Sequence, residues 1–182
     1  MKNKFEVRGD TTTILLARKD GTVIETIIET ADLLRAQEFP NSWYASWNPP
    51  TQSFYVYGKL PAVNGYRRTV LLHRWLVNES DGCEVDHINL NTLDNRRIKN
   101  LRQATYAENA QNKKVNRSNN KSGLRGVSWC NTHQKWLAQI MVDKKTKFLG
   151  YFDDKYEAGR IAADARAKMM PFSKEALYDT AC

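Results

Sequence analysis

The sequence predicts an α+β protein. It has a β-rich N-terminal region, a compact strand–loop–strand–helix core in the middle, and a C-terminal three-stranded antiparallel sheet followed by one helix. Three observations carry this. β-branched and aromatic runs flank the turn signals Lys19-Asp20-Gly21 and Asn64-Gly65. One alternating run at Cys83 to Ile88 leads into an Asn-rich loop, a second apolar run at Leu101 to Ala104, and the helix-start signature Thr105-x-x-Glu108. Three strand-like runs after Gly123 then precede an Ala-rich stretch with helical spacing. The expected divisions are 1–72, 73–115, a basic linker at 116–122, 123–170 and a tail at 171–182.

In the N-terminal region, "TTTILLARKDGTVIETII" and "SFYVYGKLPAVNGYRRTVLL" each read as a hairpin. Between them a short helix ends before Pro40 and an aromatic loop follows. Trp43, Tyr44 and Trp47 in that loop suit either core packing or base stacking, and small β domains bury such rings routinely.

The 182 residues suffice for one full core or two small ones. No apolar run approaches a membrane span, and the N-terminus reaches acids at once, so the expectation is a cytoplasmic protein without a secretion signal. Cys83, Cys130 and Cys182 form no CxxC pair, which argues against a zinc knuckle or a disulfide framework. Net charge is +8, and between Arg96 and Arg125 nine Lys or Arg face one acid, Glu108. A patch of that kind suits a polyanion, most often nucleic acid; the bland alternative is a solvated basic linker.

In the middle part, "LHRWLVNE" reads as a short helix and "CEVDHI" as a strand with Val85 and Ile88 turned inward. "LDNRRIKNLRQA" is a turn into the second strand, and Asn109 falls on the first turn of the helix that follows. A strand end, a loop and a helix start thus converge, each with a polar group. A carboxylate (Asp86) and an amide oxygen (Asn109) suit a hard divalent cation. The adjacent His87 suits a general base, whose tautomer an amide oxygen such as that of Asn100 can hold. Metal-assisted phosphodiester hydrolysis needs such a set. Asn89, Asn91, Asp94 and Asn95 read as turn chemistry, and spacing alone leaves open a merely capped strand end at Asp86-His87.

"EVDHINLNTLDNRRIKNLR" followed by "ENAQN" closely resembles the HNH endonucleases of the phage homing type, whose core is the ββα-metal, or His-Me, finger. The resemblance implies that Asp86 and Asn109 ligate one Mg²⁺ or Mn²⁺, that His87 is the general base and that Asn100 orients it. It also implies 5′-phosphate and 3′-hydroxyl ends. Leu90 stands where the family often has Gly. His73-Arg74 matches a common "HR" ahead of the core, in an accessory role of packing or phosphate contact.

In the third part, "RGVSWCNTHQKWLAQIMVDKKTKFLGYF" reads as three strands with turns near Asn131 to Gln134 and at Lys144-Lys145. One helix follows, N-capped by Asp153 or Asp154, with Ala158, Ile161, Ala162 and Ala165 on its inner face. Trp136, Ala138 and Ile140 fall on one face of the middle strand, Leu137, Gln139 and Met141 on the other. These residues resemble the AP2 DNA-binding domain, which implies a sheet laid into the major groove. Arg125, Gly126, Gln139, Lys147 and Phe148 would then face DNA. Ser128, Cys130 and Met141 replace arginines of plant members, so affinity leans on phosphate contacts. Lys113, Lys114, Arg117 and Lys121 would track the backbone, each adding about −0.9 to the salt slope, on a segment ordered only by DNA.

The expectation is therefore an HNH endodeoxyribonuclease that nicks double-stranded DNA at a site chosen by the AP2-like module. No membrane and no obligate protein partner are implied. The alternative is a catalytically inactive DNA-binding or regulatory protein with a structural HNH core.

Overall fold

A computed structural model describes residues 1–78, 83–112 and 120–176. The chain divides into two compact units, Met1–Tyr106 and Ala107–Cys182, and within the described residues the α+β class holds, with four sheets.

The first unit opens with the antiparallel sheet β1 (Phe5–Arg8), β2 (Thr11–Ala17) and β3 (Val23–Glu29). β2 and β3 pair around the Lys19-Asp20-Gly21 turn, with Ala17 opposite Val23. A 3-10 turn (Thr30–Asp32) leads into α1 (Leu33–Gln37), which stops before Pro40. The aromatic segment expected to be a loop is instead a strand, β4 (Trp43–Asn48). It pairs along its length with β5 (Ser53–Lys59), and β6 (Thr69–Leu71) closes the second sheet. The Asn64-Gly65 turn is present, both residues at positive φ and bracketed by a Val63–Tyr66 bridge.

Alternation explains the core. Trp43, Val56 and Gly58 turn one face of this sheet inward onto Phe39, Ile14, Leu16 and Ile28, and Leu72 and Leu76 join from α2 (Leu72–Val77). Phe39 stacks on Trp43 at 4.0 Å and meets Trp75 edge-on at 5.5 Å. Gly58 makes this possible, since a Cβ there would stand 2.4 Å from Phe39 and 2.7 Å from Trp43. Trp43 is thus core, whereas Trp47 is half exposed.

The middle segment belongs to this first unit. β7 (Glu84–His87) pairs antiparallel with β8 (Leu101–Ala104), and the loop between them is fastened to β3. Ile27 forms a parallel bridge with Asp94, and its N–H and C=O bond Leu93 and Asn95 at 3.0 and 2.8 Å. Glu29 accepts from the N–H groups of Ile98 and Lys99, and Asp32 pairs with Arg97. The β1–β3 sheet is therefore the scaffold of the loop. α3 (Tyr106–Asn109) begins after Thr105, and a 3-10 turn (Ala110–Asn112) continues it.

The second unit holds β9 (Val127–Cys130), β10 (Lys135–Val142) and β11 (Lys145–Phe152), with β10 central, and α4 (Lys155–Met169). Asp154 caps α4 by accepting from Glu157 N–H. The buried stripe is Ala158, Ala162, Ala165 and Arg166, the last paired with Glu175, while Ile161 is only half buried. Small side chains let the helix sit against Val127, Ala138 and Ile140. The second turn lies one residue earlier than expected: Asp143 and Lys144 are the two left-handed residues, and Lys145 already pairs with Val142. Gly126, at φ +80, brings its backbone so close to Gln139 that a Cβ would meet the Gln139 carbonyl at 2.4 Å.

Candidate active site

β7 ends on two buried polar residues, Asp86 at 6% and His87 at 5% exposure. The turn after them closes with Leu90 N–H on His87 C=O, and Leu90 adopts φ +62. That is the left-handed region where glycine is at ease, so Leu90 carries about 1 kcal/mol of strain that a glycine would not.

The carboxamides divide their work. Asn89 and Asn91 accept from the N–H groups of Asn91 and Leu93, which shapes the turn. Asn100 accepts from Asn89 N–H at 2.9 Å and donates to Asp94 C=O at 2.6 Å, so its side chain clasps the two ends of the loop. The ring of His87 is held by a different residue: its Nε2 lies 3.2 Å from Asn95 Oδ1. Asn95 is completely buried, and its amide nitrogen donates to Thr26 Oγ1 at 2.8 Å. That second bond fixes which way the amide points, so Oδ1 accepts from Nε2–H and Nδ1 is the basic nitrogen of the neutral ring. Asn95, expected to serve only the turn, is thus the residue that sequence reasoning missed. Its partner Thr26 lies 69 residues away, and no local spacing signals it.

Asp86 Oδ2 accepts from Arg102 Nε and Nη2 at 3.0 and 2.8 Å, as cross-strand neighbours in the β7–β8 register. His73, on α2, is buried with its ring edge-on to His87 at 4.8 Å, and Tyr55 stands 6.1 Å from His87. Arg74 pairs with Glu84 at 2.8 Å. Asn109 ends α3, in the segment that opens the second unit.

Burial lowers the pKa of His87 despite the opposing Asn95 hydrogen bond and the charges of Asp86 and Asp94. It lowers that of His73 well below 6.5, with His87 and Arg74 adding to the effect. Burial also works to raise Asp94, but Arg96 and Asn89 outweigh it and hold that carboxyl below the usual range. Burial therefore favours the neutral form of both rings in the folded chain. The unfolded chain binds protons below pH 6.5 that the folded chain refuses, so this part of the stability is complete above pH 6.5 and is lost as pH falls from there toward the folded values. The urea midpoint should fall between about pH 7.5 and 5.5, and His73→Phe should flatten that fall. An equally steep dependence in the variant would contradict the role of His73.

Asp86 and Asn109 each carry an oxygen donor of the kind a hard divalent cation takes; Asp86, already paired with Arg102, belongs to the first unit and Asn109 to the second. The donor chemistry fits such an ion. Among the described residues no group of three or more His, Cys, Asp or Glu is placed to hold a metal ion.

The basic run from Arg96 to Arg125 looks different in the fold. Arg96 pairs with Asp94, Arg97 with Asp32, Lys99 with Asp10 and Arg102 with Asp86, so its first four cations tie the loop to acids of the same unit. Lys113, Lys114 and Arg117 lie outside the described residues, and Lys121 is exposed. Arg125 is half buried, donating from Nη1 to Gln111 C=O at 2.6 Å. Gln139 sits opposite Phe148 on the sheet face away from α4, Phe148 is 59% exposed, and Lys147 is exposed beside Met169.

Among the described residues no helix is long and apolar enough to cross a membrane. Protein 3.8 of Escherichia phage T7 is 39% identical over 64 residues, which are 35% of this chain and 51% of the phage protein. The chain thus spans about half the length of that relative. No solved structure matches it. HNH nucleases generally use a divalent metal ion and act on DNA, and it is the HNH endonuclease family that residues 70–111, from the end of β6 through the 3-10 turn after α3, match.

Proposed function

We propose that the chain is a metal-dependent HNH endonuclease that nicks duplex DNA, of the kind carried by mobile elements, with an AP2-like second unit selecting the site. The observation that carries this is the setting of His87: buried, and fixed through Asn95 so that Nδ1 is left as the base. His87 Nδ1 takes a proton from water, and the water oxygen attacks phosphorus as the 3′-oxygen leaves. Asp86 and Asn109 are the residues that would hold one Mg²⁺ or Mn²⁺, and such an ion would supply positive charge to offset that of the phosphate and the leaving oxygen. Asn100 maintains the loop on which His87 and Asn95 meet, and Arg102 fixes the Asp86 carboxylate.

Site selection is supported by one sheet face of the second unit that no described residue covers. Gln139, Phe148 and Tyr151 lie on it, with Met141 exposed beside them, and Arg125 and Gly126 keep the roles the AP2 resemblance gives them; Lys147, expected to face DNA, instead pairs with Ile140 on the α4 side and bonds Met169. Lys113, Lys114, Arg117 and Lys121 add phosphate contacts that do not depend on sequence.

Supercoiled plasmid incubated with the chain and Mg²⁺ or Mn²⁺ should convert to open circles, and EDTA should prevent it. Linear product would point to paired active sites. Intact plasmid and intact genomic DNA, with both shifted on a gel, would replace the nuclease by a DNA-binding protein.

A further inference from the structure

From Phe39 to Asn78 the chain contains no Asp or Glu, yet this segment carries Lys59, Arg67 and Arg68, all exposed. It forms the β4–β5–β6 sheet, one face of which is spent on the core. The other face carries Ser53, Tyr55, Tyr57 and Lys59 along β5, because Val56 and Gly58 turn inward. The register sets Tyr44 opposite Tyr57 and Ser46 opposite Tyr55. The rings of Tyr44 and Tyr57 lie 6.1 Å apart with their planes 27° from parallel, and Lys59 Nζ stands 6.0 Å from the Tyr44 centroid. Beyond them lies a groove of about 480 Å³ lined by Asn41, Ser42, Tyr44, Lys59 and Arg67. At the other end of the line, the Tyr55 ring stands 6.0 Å from His73 and 6.1 Å from His87.

Cations and aromatic rings in one acid-free line are the chemistry that follows a sugar–phosphate backbone. Lys59 and Tyr55 are four residues apart, about 13 Å along a strand. Along the axis of a duplex that span covers about four base pairs, with one phosphate of each strand per about 3.4 Å. Resting on the nuclease reading above, we propose that this sheet face is the track of the DNA strand being cut. Lys59 and Arg67 hold phosphates about four nucleotides from the scissile bond, and Tyr44 and Tyr57 present ring faces and hydroxyls to the sugars between. The track delivers the strand past Tyr55 to His87.

The test is binding of a fluorescein-labelled duplex of random sequence in EDTA, followed by anisotropy across a salt series with the full chain. Lys59→Glu combined with Arg67→Glu should weaken binding at least about tenfold at low salt. The slope of log affinity against log salt should become shallower by about 1.8, two phosphates at about 0.9 each. Lys59→Gln with Arg67→Gln, which adds no repulsion, should give the same change in slope. Lys19→Glu with Lys168→Glu makes the same charge change at exposed positions elsewhere and should leave the slope unaltered. A slope no different from that control overturns the track, while plasmid nicking by the parent chain keeps the nuclease reading. A parent that binds duplex without ever nicking sinks the nuclease reading, and the slope alone then decides the track. A parent that prefers structured RNA, or binds no duplex, overturns the track as well.

Discussion

His87→Ala should reduce metal-dependent nicking of supercoiled DNA by roughly 10²–10⁴-fold, the usual contribution of a positioned general base. Affinity for duplex DNA in EDTA should stay within about twofold of wild type, because phosphate contacts carry it and the base touches water rather than DNA. The comparison separates chemistry from binding. The substitution also leaves Asn95 Oδ1 buried without its ring partner, which costs about 1–3 kcal/mol. A melting curve must therefore accompany the rate. A variant that is folded, binds DNA and no longer nicks supports His87 as the base. A variant that nicks at the wild-type rate removes His87 from the chemistry, whatever else the site contains.

The part of the site legible in the sequence is the part that sequence holds together. Asp86 and His87 are neighbours, and the loop, β8 and α3 follow within thirty residues, so their order could be read directly. Asn95 could not, because its role is set by Thr26 on β3 and by an amide orientation that only the packed loop imposes. The charge count misled for the same reason. Arg96, Arg97, Lys99 and Arg102 look like an unbalanced run until Asp10, Asp32, Asp86 and Asp94 are brought to them across the fold. Of the acid-free sheet, Tyr44 was legible as a base-stacking candidate, but Lys59 and Arg67 were not, because its cations are sparse along the chain. Among the strands, β1 is wholly exposed and shows no burial rhythm, and β4 was hidden by its run of aromatics before Pro49. Where alternation met a clear turn, as in β2–β3 and β9–β11, the elements were legible to within a residue or two.

Trp43→Ala should destabilise the first unit by about 3–5 kcal/mol, the usual cost of truncating a fully buried tryptophan. Trp43 is 1% exposed, stacked on Phe39 and pinned by Gly58, so nothing nearby is placed to fill the void. Whole domains are stable by about 5–15 kcal/mol, so a loss of this size lowers the melting temperature by on the order of 15–30 °C. The consequence reaches the site. Leu72, Leu76 and Leu93 pack into the same core cluster, and β3 holds the 93–99 loop by backbone bonds and by Glu29 and Asp32. The β7–β8 hairpin, only four residues to a strand, has too little core of its own to survive separately. Amide exchange at Val85 and Leu101 should therefore accelerate in Trp43→Ala by the same factor as at Val56, and nicking should fail at the same temperature. If Val85 and Leu101 stayed protected after Val56 had lost protection, the nuclease segment would fold alone and the N-terminal sheets would not be its scaffold. Equal acceleration makes residues 1–106 one cooperative body, with the base, its carboxamide partner and the proposed strand track on a single rigid support.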